Sequence, residues 1–421
     1  MDVYLILIGD EILLGQVIDT NSAWIGQQLA LHGYRITGKM AVADARADIL
    51  SALETAAQRA NIIITTGGLG PTKDDITRKT LAEYFGCGLM FHPETYDRIV
   101  DYYARVGRPL PDSARQQATI PERAVPLTNK VGNAPGMWFE REGKVFISLP
   151  GVPFEMQYLM TEEVLPRLRQ HFPGRPLVHR TLRTAGEGET AIAKRIENFE
   201  NALPPHIRLA YLPSLGQVRL RLSGQWPHEQ VPPDAEARLQ LEVEKWADEL
   251  RGLLADIVYG KEEDTLEQVV GQLLQAQGLL LGTAESCTGG YIAHLITSVP
   301  GSSKYFAGSV VAYSNEIKTK LLGVRPETLA HFGAVSEQTV CEMVAGALDT
   351  LKVDVALSVS GIAGPSGGTP EKPVGTVWMA VGNRSRIIAQ KHVFARDRVK
   401  NIQLAAIFGL NMVRKFLLNT L

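Results

Sequence analysis

Three short and largely unbroken apolar runs, residues 3–8, 61–66 and 353–359, constrain this chain more than any other feature. Each has the length of a strand and lacks polar alternation, so each is expected to lie buried on both faces, as in a parallel sheet covered by helices. Segments with helical periodicity separate the runs or follow them: residues 21–32, capped at Asn21 or Ser22, then 44–60, 76–85, 336–351 and 400–416. This βαβ rhythm predicts an α/β fold. The runs end on polar or Gly-rich loops: Gly9-Asp10-Glu11, residues 67–75 and residues 360–365. Ligands in parallel sheets bind outside the carboxyl ends of strands, so these loops are the first places to look for chemistry.

A chain of 421 residues that is 45% apolar can support two or three cores. The βαβ rhythm breaks near residues 172–176. Beyond it, segments 207–212 and 217–222 read as two strands around a turn, and 234–251 as a helix with Leu239, Val243, Trp246 and Leu250 on one stripe. This is a small α+β module whose stripe is its core. A third unit opens near Lys261 with Asp264-x-x-Glu267, a capping-box-like helix start, and carries further strands at 310–313 and 374–381. The expected domains are therefore residues 1–172, 173–257 and 258–421.

Charge and cysteine usage narrow the function. A net charge of −2 with both signs interspersed provides no electrostatic footprint for nucleic acid or an anionic membrane. The first apolar run is too short for a signal peptide or a span, and no basic region precedes it. Together with three dispersed cysteines, Cys87, Cys287 and Cys341, this predicts a cytoplasmic protein. The nine histidines are scattered without zinc-ligand spacing, so any metal would rest on carboxylates and water.

The segment richest in chemistry is residues 283–290, Thr-Ala-Glu-Ser-Cys-Thr-Gly-Gly, between an apolar run and a helical pattern. A serine at a strand-to-helix turn sits among unpaired N–H groups able to stabilise an oxyanion. Ser286 needs a base, and Lys318 qualifies if burial keeps it neutral, with Tyr313 relaying the proton or orienting the amine. The plainer alternative makes Ser286 a helix cap, Tyr313 a packing residue and Lys318 a solvated charge. Cys287 is a rival nucleophile, or a small buried residue. The turn at residues 360–365 suits phosphate or ribose, and Arg396 or Arg398 can clamp a phosphate; an ordinary turn and a solvated loop are the alternatives. In the first unit, Asp10, Glu11, Asp74 and Asp75 can hold a divalent ion, or serve only as helix N-terminal carboxylates. Residues 132–137 and 149–153 complete the expected rim.

Taken together, these motifs resemble the CinA (competence/damage-inducible protein A) family over essentially the whole chain. Residues 8–15, 19–22, 65–77 and 132–137 are similar to a molybdopterin-binding fold, which within this family is associated with metal-dependent hydrolysis of ADP-ribose to AMP and ribose 5-phosphate. The resemblance places that site on Gly9, Asp10, Glu11, Asn21, Thr66, Gly67, Gly68, Gly70, Asp74, Asp75, Asn133, Pro135 and Gly136, with Asp10, Asp74 and Asp75 as ligands of a divalent metal ion. The middle segment resembles a KH-type domain without a GxxG clamp, having only Gly186-Glu187-Gly188, so no RNA binding is inferred from it. Residues 283–290, 313–315, 318, 333–336, 360–365 and 372–377 resemble nicotinamide-nucleotide amidohydrolase. The implied reaction turns nicotinamide mononucleotide and water into nicotinate mononucleotide and ammonia without a cofactor. Its catalytic residues fall on Ser286, Lys318 and Tyr313. Its substrate contacts fall on Glu285, Cys287, Thr288, Gly289, Asn315, Ser360, Gly361, Ala363, Gly364, Arg396 and Arg398. The resemblance also implies a homodimer. A non-catalytic pterin- or nucleotide-binding scaffold is the alternative.

Overall fold

The computed structural model describes residues 1–69, 76–172, 176–226, 234–394 and 396–421. The chain is a mixed α/β protein that divides into two compact units, residues 1–178 with 225–239, and residues 179–224 with 240–421.

The first unit is built on a six-stranded sheet in the order Arg35–Val42, Asp2–Ile8, Ile62–Thr66, Lys144–Leu149, Gly136–Arg141, Val125–Leu127. The first four strands run parallel and the last two join antiparallel. Asp2–Ile8 explains why its sequence shows no alternation. Tyr4, Ile6 and Ile8 pack under the helix Arg46–Arg59 through Ile49, Leu53 and Ala56, while Val3 and Leu5 meet Ile25 and Leu29 of the helix Asn21–Leu31. Both faces are covered, so both sets of side chains are apolar.

The second unit holds two sheets. One has the order Ile207–Ser214, Gln217–Gln225, Leu177–Ala185, Val258–Lys261, and the helix Ala235–Leu253 contributes the buried Val243 and Leu250 to this unit. Val258–Lys261 pairs with Leu177–Ala185, so this sheet extends past the boundary expected at residue 257. The other sheet runs Phe306–Val311, Leu281–Glu285, Val355–Gly361, Thr376–Gly382, Ile387–Val393. Its first three strands are parallel and its last two antiparallel, so the purely parallel expectation holds for neither large sheet. The hairpin strand Ile387–Val393 escaped the sequence reading because, as a half-exposed edge strand, it has no continuous apolar run. One face of this sheet packs Ala284 and Ala356 against Val340, Met343 and Ala347 of the helix Glu337–Leu351. The other packs Leu281, Leu357 and Val359 against Leu410 and Val413 of the helix Arg398–Leu417. The capping box lies one residue later than expected: Thr265 and Gln268 exchange it, and the Asp264 carboxyl instead accepts from the Lys261 N–H.

Arg414 ties the closing helix to the smaller sheet's module. Its guanidinium is buried and donates to the carbonyls of Val258 (3.1 Å) and Asp256 (3.0 Å) and to Asn411 Oδ1 (3.0 Å). Removing it leaves two carbonyls without their donor. Arg414→Ala is expected to lower the unfolding free energy by about 3 kcal/mol, the scale of losing hydrogen bonds to a buried charged group. Arg414→Lys, which keeps charge but not the planar fork, should fall between. Chemical denaturation checks this, and a loss under about 0.5 kcal/mol, as for an ordinary surface change, would contradict it.

Candidate functional site

Three parallel strands deliver their carboxyl ends to one place in the second unit. Leu281–Glu285 leads into Ser286, Phe306–Val311 into Ala312 and Tyr313, and Val355–Gly361 ends at Gly361. Pairing continues past the strand ends: the Ser286 N–H donates to Val359 O (2.9 Å) and the Ala312 N–H to Glu285 O (2.8 Å). These bonds place Ser286 beside the turn that starts the helix Asn315–Leu322, where Ser314 is the cap and accepts from the Ile317 N–H. Lys318 lies on the inner face of that helix.

Lys318 is only 1% exposed and Ser286 is also buried. Nζ lies 2.9 Å from Ser286 Oγ, 2.8 Å from Ala312 O and 3.4 Å from Tyr313 O. No ion pair to Lys318 is present among the described residues. Burial pushes the amine below the ordinary lysine range, since removing it from water penalises the charged form. A neutral amine has two N–H groups and one lone pair. Two carbonyls take the N–H groups, and the lone pair is left for the hydroxyl of Ser286. The arrangement therefore suits a general base acting on a serine nucleophile.

The neighbouring thiol does not share this activation. Cys287 is buried in the core with Ile292, Val359 and Val377, and burial pushes it up to about 12, so it is a neutral thiol at neutral pH. A Cβ built on Gly361 would meet Val377 Cγ2 at 2.7 Å and Cys287 Sγ at 3.1 Å, so the site closes only with glycine there.

Several expected substrate contacts turn out to be spoken for. Glu285 is fully buried, and its carboxyl oxygens accept from the N–H groups of Gly290, Ile292 and Ala293 and from the hydroxyls of Thr283 and Ser309. It therefore has no face to offer a substrate. It also corrects the view of Ser286 as a cap: Gly290 is the N-cap of the helix Tyr291–Thr297, and Glu285 supplies the acceptors. Ser360 is buried and donates to Ala334 O (2.7 Å), and Ala363 O accepts from Asn401 Nδ2 (3.0 Å). The Tyr313 phenol is not on the lysine. It is 62% exposed and accepts from Arg398 Nη2 (3.0 Å), so only the Tyr313 carbonyl touches Lys318.

Other groups remain available. Among the described residues the N–H groups of Cys287 and Thr288 make no hydrogen bond to another residue, while the Gly289 N–H closes back on Ser286 O (3.1 Å). The Thr288 hydroxyl is buried without a partner among the described residues. Asn315 and Gly289 are exposed at the rim. Of the two candidate arginines, Arg398 belongs to this rim, donating to Gly364 O (2.7 Å) and the Tyr313 phenol, whereas Arg396 is held through its backbone by Asn401. The Ala312 and Tyr313 carbonyls that orient Lys318 were not foreseen, because backbone acceptors leave no mark in residue identity.

The first unit carries a separate cavity of about 390 Å³ at the ends of Asp2–Ile8 and Ile62–Thr66, lined by Glu11, Asp19, Asn21, Asp44, Thr66, Gly67, Gly68 and Gly151 among others. Gly67 has φ +116°, and a Cβ there would lie 2.0 Å from Ile8 O, so the loop reaches the neighbouring strand end only as glycine. Asn21 Nδ2 bridges Thr66 Oγ1 (3.2 Å) and Gly151 O (2.8 Å), while its Oδ1 is buried without a partner among the described residues. Gly9 is buried and donates to Val42 O, and Asp10 is exposed. Gly70, Asp74 and Asp75 lie outside the described residues. No group of three His, Cys, Asp or Glu side chains able to hold a metal ion occurs among the described ones. Asn133, Pro135 and Gly136 do not line this cavity: Asn133 donates to the Tyr103 phenol (2.7 Å), and Gly136 is buried against Leu127 and Leu159. The sequence reading missed Asp19 and Asp44 as lining residues; the Asp19-Thr20-Asn21 run held the signal for the first.

An α/β protein with a buried serine–lysine pair at three strand ends is the class this geometry defines. Known proteins match the chain in sequence along nearly its whole length. A probable molybdopterin binding domain matches residues 4–170, the damage-inducible protein CinA KH domain residues 179–260 and the CinA C-terminal domain residues 263–417. A CinA-like protein of Cytophaga hutchinsonii is 46% identical over 98% of this chain and 97% of its own. Another from Salinibacter ruber is 43% identical over 99% of this chain and 100% of its own. A solved CinA superfamily structure from Klebsiella pneumoniae, 38% identical, covers 37% of this chain and 96% of its own with a TM-score of 0.36. The chain belongs to the CinA family.

Lys318 also sets a pH signature. Its folded pKa lies below its unfolded value of about 10.4, so between the two the unfolded chain holds the extra proton and stability rises with pH. Relative to Lys318→Met, the wild type should therefore gain stability as the pH rises through the folded pKa towards ~10. Parallel unfolding curves of the two proteins across that range would contradict the buried, depressed lysine.

Proposed function

We propose that the C-terminal module is a serine amidohydrolase that converts nicotinamide mononucleotide to nicotinate mononucleotide and ammonia. The observation that carries the reaction type is the buried Lys318 Nζ at 2.9 Å from Ser286 Oγ. The substrate rests on the motif resemblance, supported by the Arg398 guanidinium at the rim. Lys318 takes the Ser286 proton as Oγ attacks the carboxamide carbon. The N–H groups of Cys287 and Thr288 hold the developing oxyanion. The Lys318 ammonium returns its proton to the leaving ammonia, and water then cleaves the acyl-enzyme with Lys318 again as base. Tyr313 acts at the rim with Arg398 rather than in the proton relay. Ser286→Ala is expected to lower ammonia release by about 10³-fold or more, the scale of removing one member of a catalytic set. Cys287→Ala should retain activity within about threefold, since its thiol only packs. Abolition in Cys287→Ala with folding intact, or near-wild-type turnover in Ser286→Ala, would overturn the mechanism.

A second activity is favoured by the cavity of the first unit and by the unpartnered Asn21 Oδ1 within it, an oxygen donor suited to a hard cation or a ribose hydroxyl. We propose that this cavity takes ADP-ribose. The expected metal ligands are Asp10, which is exposed next to the lining residue Glu11, and Asp74 and Asp75, which lie outside the described residues; a divalent ion held there would supply positive charge to polarise the pyrophosphate. AMP release should stop on chelation and return with added divalent metal; cleavage unchanged by a chelator would rule the reading out. A purified chain that releases neither ammonia nor AMP would favour the scaffold alternative.

A further inference from the structure

We propose that Glu285 is a positioning residue: its buried carboxyl group shapes the turn that carries Ser286 and determines which N–H groups remain for the oxyanion. The inference rests on the reading of Ser286 as nucleophile. A strand-to-helix turn ordinarily leaves first-turn N–H groups free, and these attract an anion. Here that role is already filled from within. The Gly290 and Ile292 N–H groups donate to Glu285 Oε2, each at 3.0 Å, and the Ala293 N–H to Oε1 at 2.8 Å. The hydroxyls of Thr283 and Ser309, each at 3.3 Å, complete the shell. No ion pair to Glu285 exists among the described residues, so the group is held by dipoles alone.

Two consequences follow for catalysis. The helix Tyr291–Thr297 cannot lend its first N–H groups to an oxyanion, which leaves those of Cys287 and Thr288 in the turn ahead of it. That turn is then pinned at both ends. Ser286 follows Glu285 directly and is held by Val359 O, while Gly290 is held by the Glu285 side chain. A carboxyl group that is next to the nucleophile and five residues before the helix cap in sequence, yet bonded to that cap in space, thus fixes the spacing between Ser286 Oγ and its oxyanion donors. Because Glu285 is shut away from the rim, its loss should disturb turnover and leave substrate affinity largely intact.

Glu285→Gln keeps the shape but presents an NH₂ group to N–H donors that need an acceptor. Two readouts on the full chain test it. With nicotinamide mononucleotide, kcat should fall about 10²-fold or more, the scale of lost oxyanion stabilisation, with KM within about threefold. With a fluorophosphonate, the Ser286 Oγ–P bond forms as the P–F bond breaks and fluoride leaves, while the Ser286 proton passes to Lys318. The second-order labelling rate, read by mass spectrometry on the Ser286 peptide, should fall in parallel. Thr283→Val and Ser309→Ala each remove one hydroxyl donor, and each should lower kcat severalfold at unchanged KM. An unchanged labelling rate in Glu285→Gln, or a raised KM with unchanged kcat, overturns the inference. If Glu285→Gln does not fold, unchanged kcat and labelling in both hydroxyl variants overturn it. If the wild type labels at Ser286 but releases no ammonia, the substrate reading fails, and the labelling rates still decide the role of Glu285.

Discussion

Burying a lysine without a carboxylate beside it is costly, because the ammonium loses its water and gains no opposite charge. The C-terminal module accepts that cost at Lys318 and arranges its neighbours accordingly. Two carbonyls at the end of one strand point at Nζ, and the hydroxyl at the end of the next strand stands where the lone pair can reach it. Everything else in the site serves this contact. Parallel pairing of Leu281–Glu285 with Phe306–Val311 fixes the distance between the Ser286 turn and the lysine helix. Pairing with Val355–Gly361 brings in the third strand end, whose Gly361 leaves room for the Cys287 thiol. Burial acts on the two groups in opposite directions, raising the pKa of the thiol and lowering that of the amine.

The site is also shaped by what has been withdrawn from solvent. Glu285 absorbs the donors at the start of the helix Tyr291–Thr297, and Ser360 and Ala363 are tied to neighbouring backbone and side chains. The surface left for a ligand is narrow: the Cys287 and Thr288 N–H groups, the Thr288 hydroxyl, and the Tyr313–Arg398 pair at the rim. The cavity of the first unit has an acidic lining that includes Glu11, Asp19 and Asp44.

Much of this was legible in the residues. Apolar runs covered on both faces gave strands in the right places, and helical periodicity located Arg46–Arg59 and Glu337–Leu351 to within two residues. The Ser286–Lys318 pairing could be stated as a possibility because it depends on which residue types sit at strand ends. What could not be read was direction. Tyr313 and Arg398 are far apart in sequence, yet their side chains meet, and the phenol turns away from the lysine it was expected to assist. Glu285 was expected among the substrate contacts because it lies in the motif that carries the resemblance. In a strand, however, neighbours face opposite ways, and its carboxyl group folds back over the helix that follows. The mixed character of both large sheets was hidden too, since antiparallel partners such as Gly136–Arg141 are as apolar at their buried end as parallel ones.

The account stands on the protonation of one amine. Selective ¹³C labelling of the lysine Cε positions, followed through a pH titration and assigned with Lys318→Met, reports it directly. The result in keeping with this structure is a Lys318 resonance that titrates below those of the other lysines. A resonance that titrates with them, near the ordinary lysine value of about 10.4, would show a charged amine at neutral pH and contradict its role as the base for Ser286.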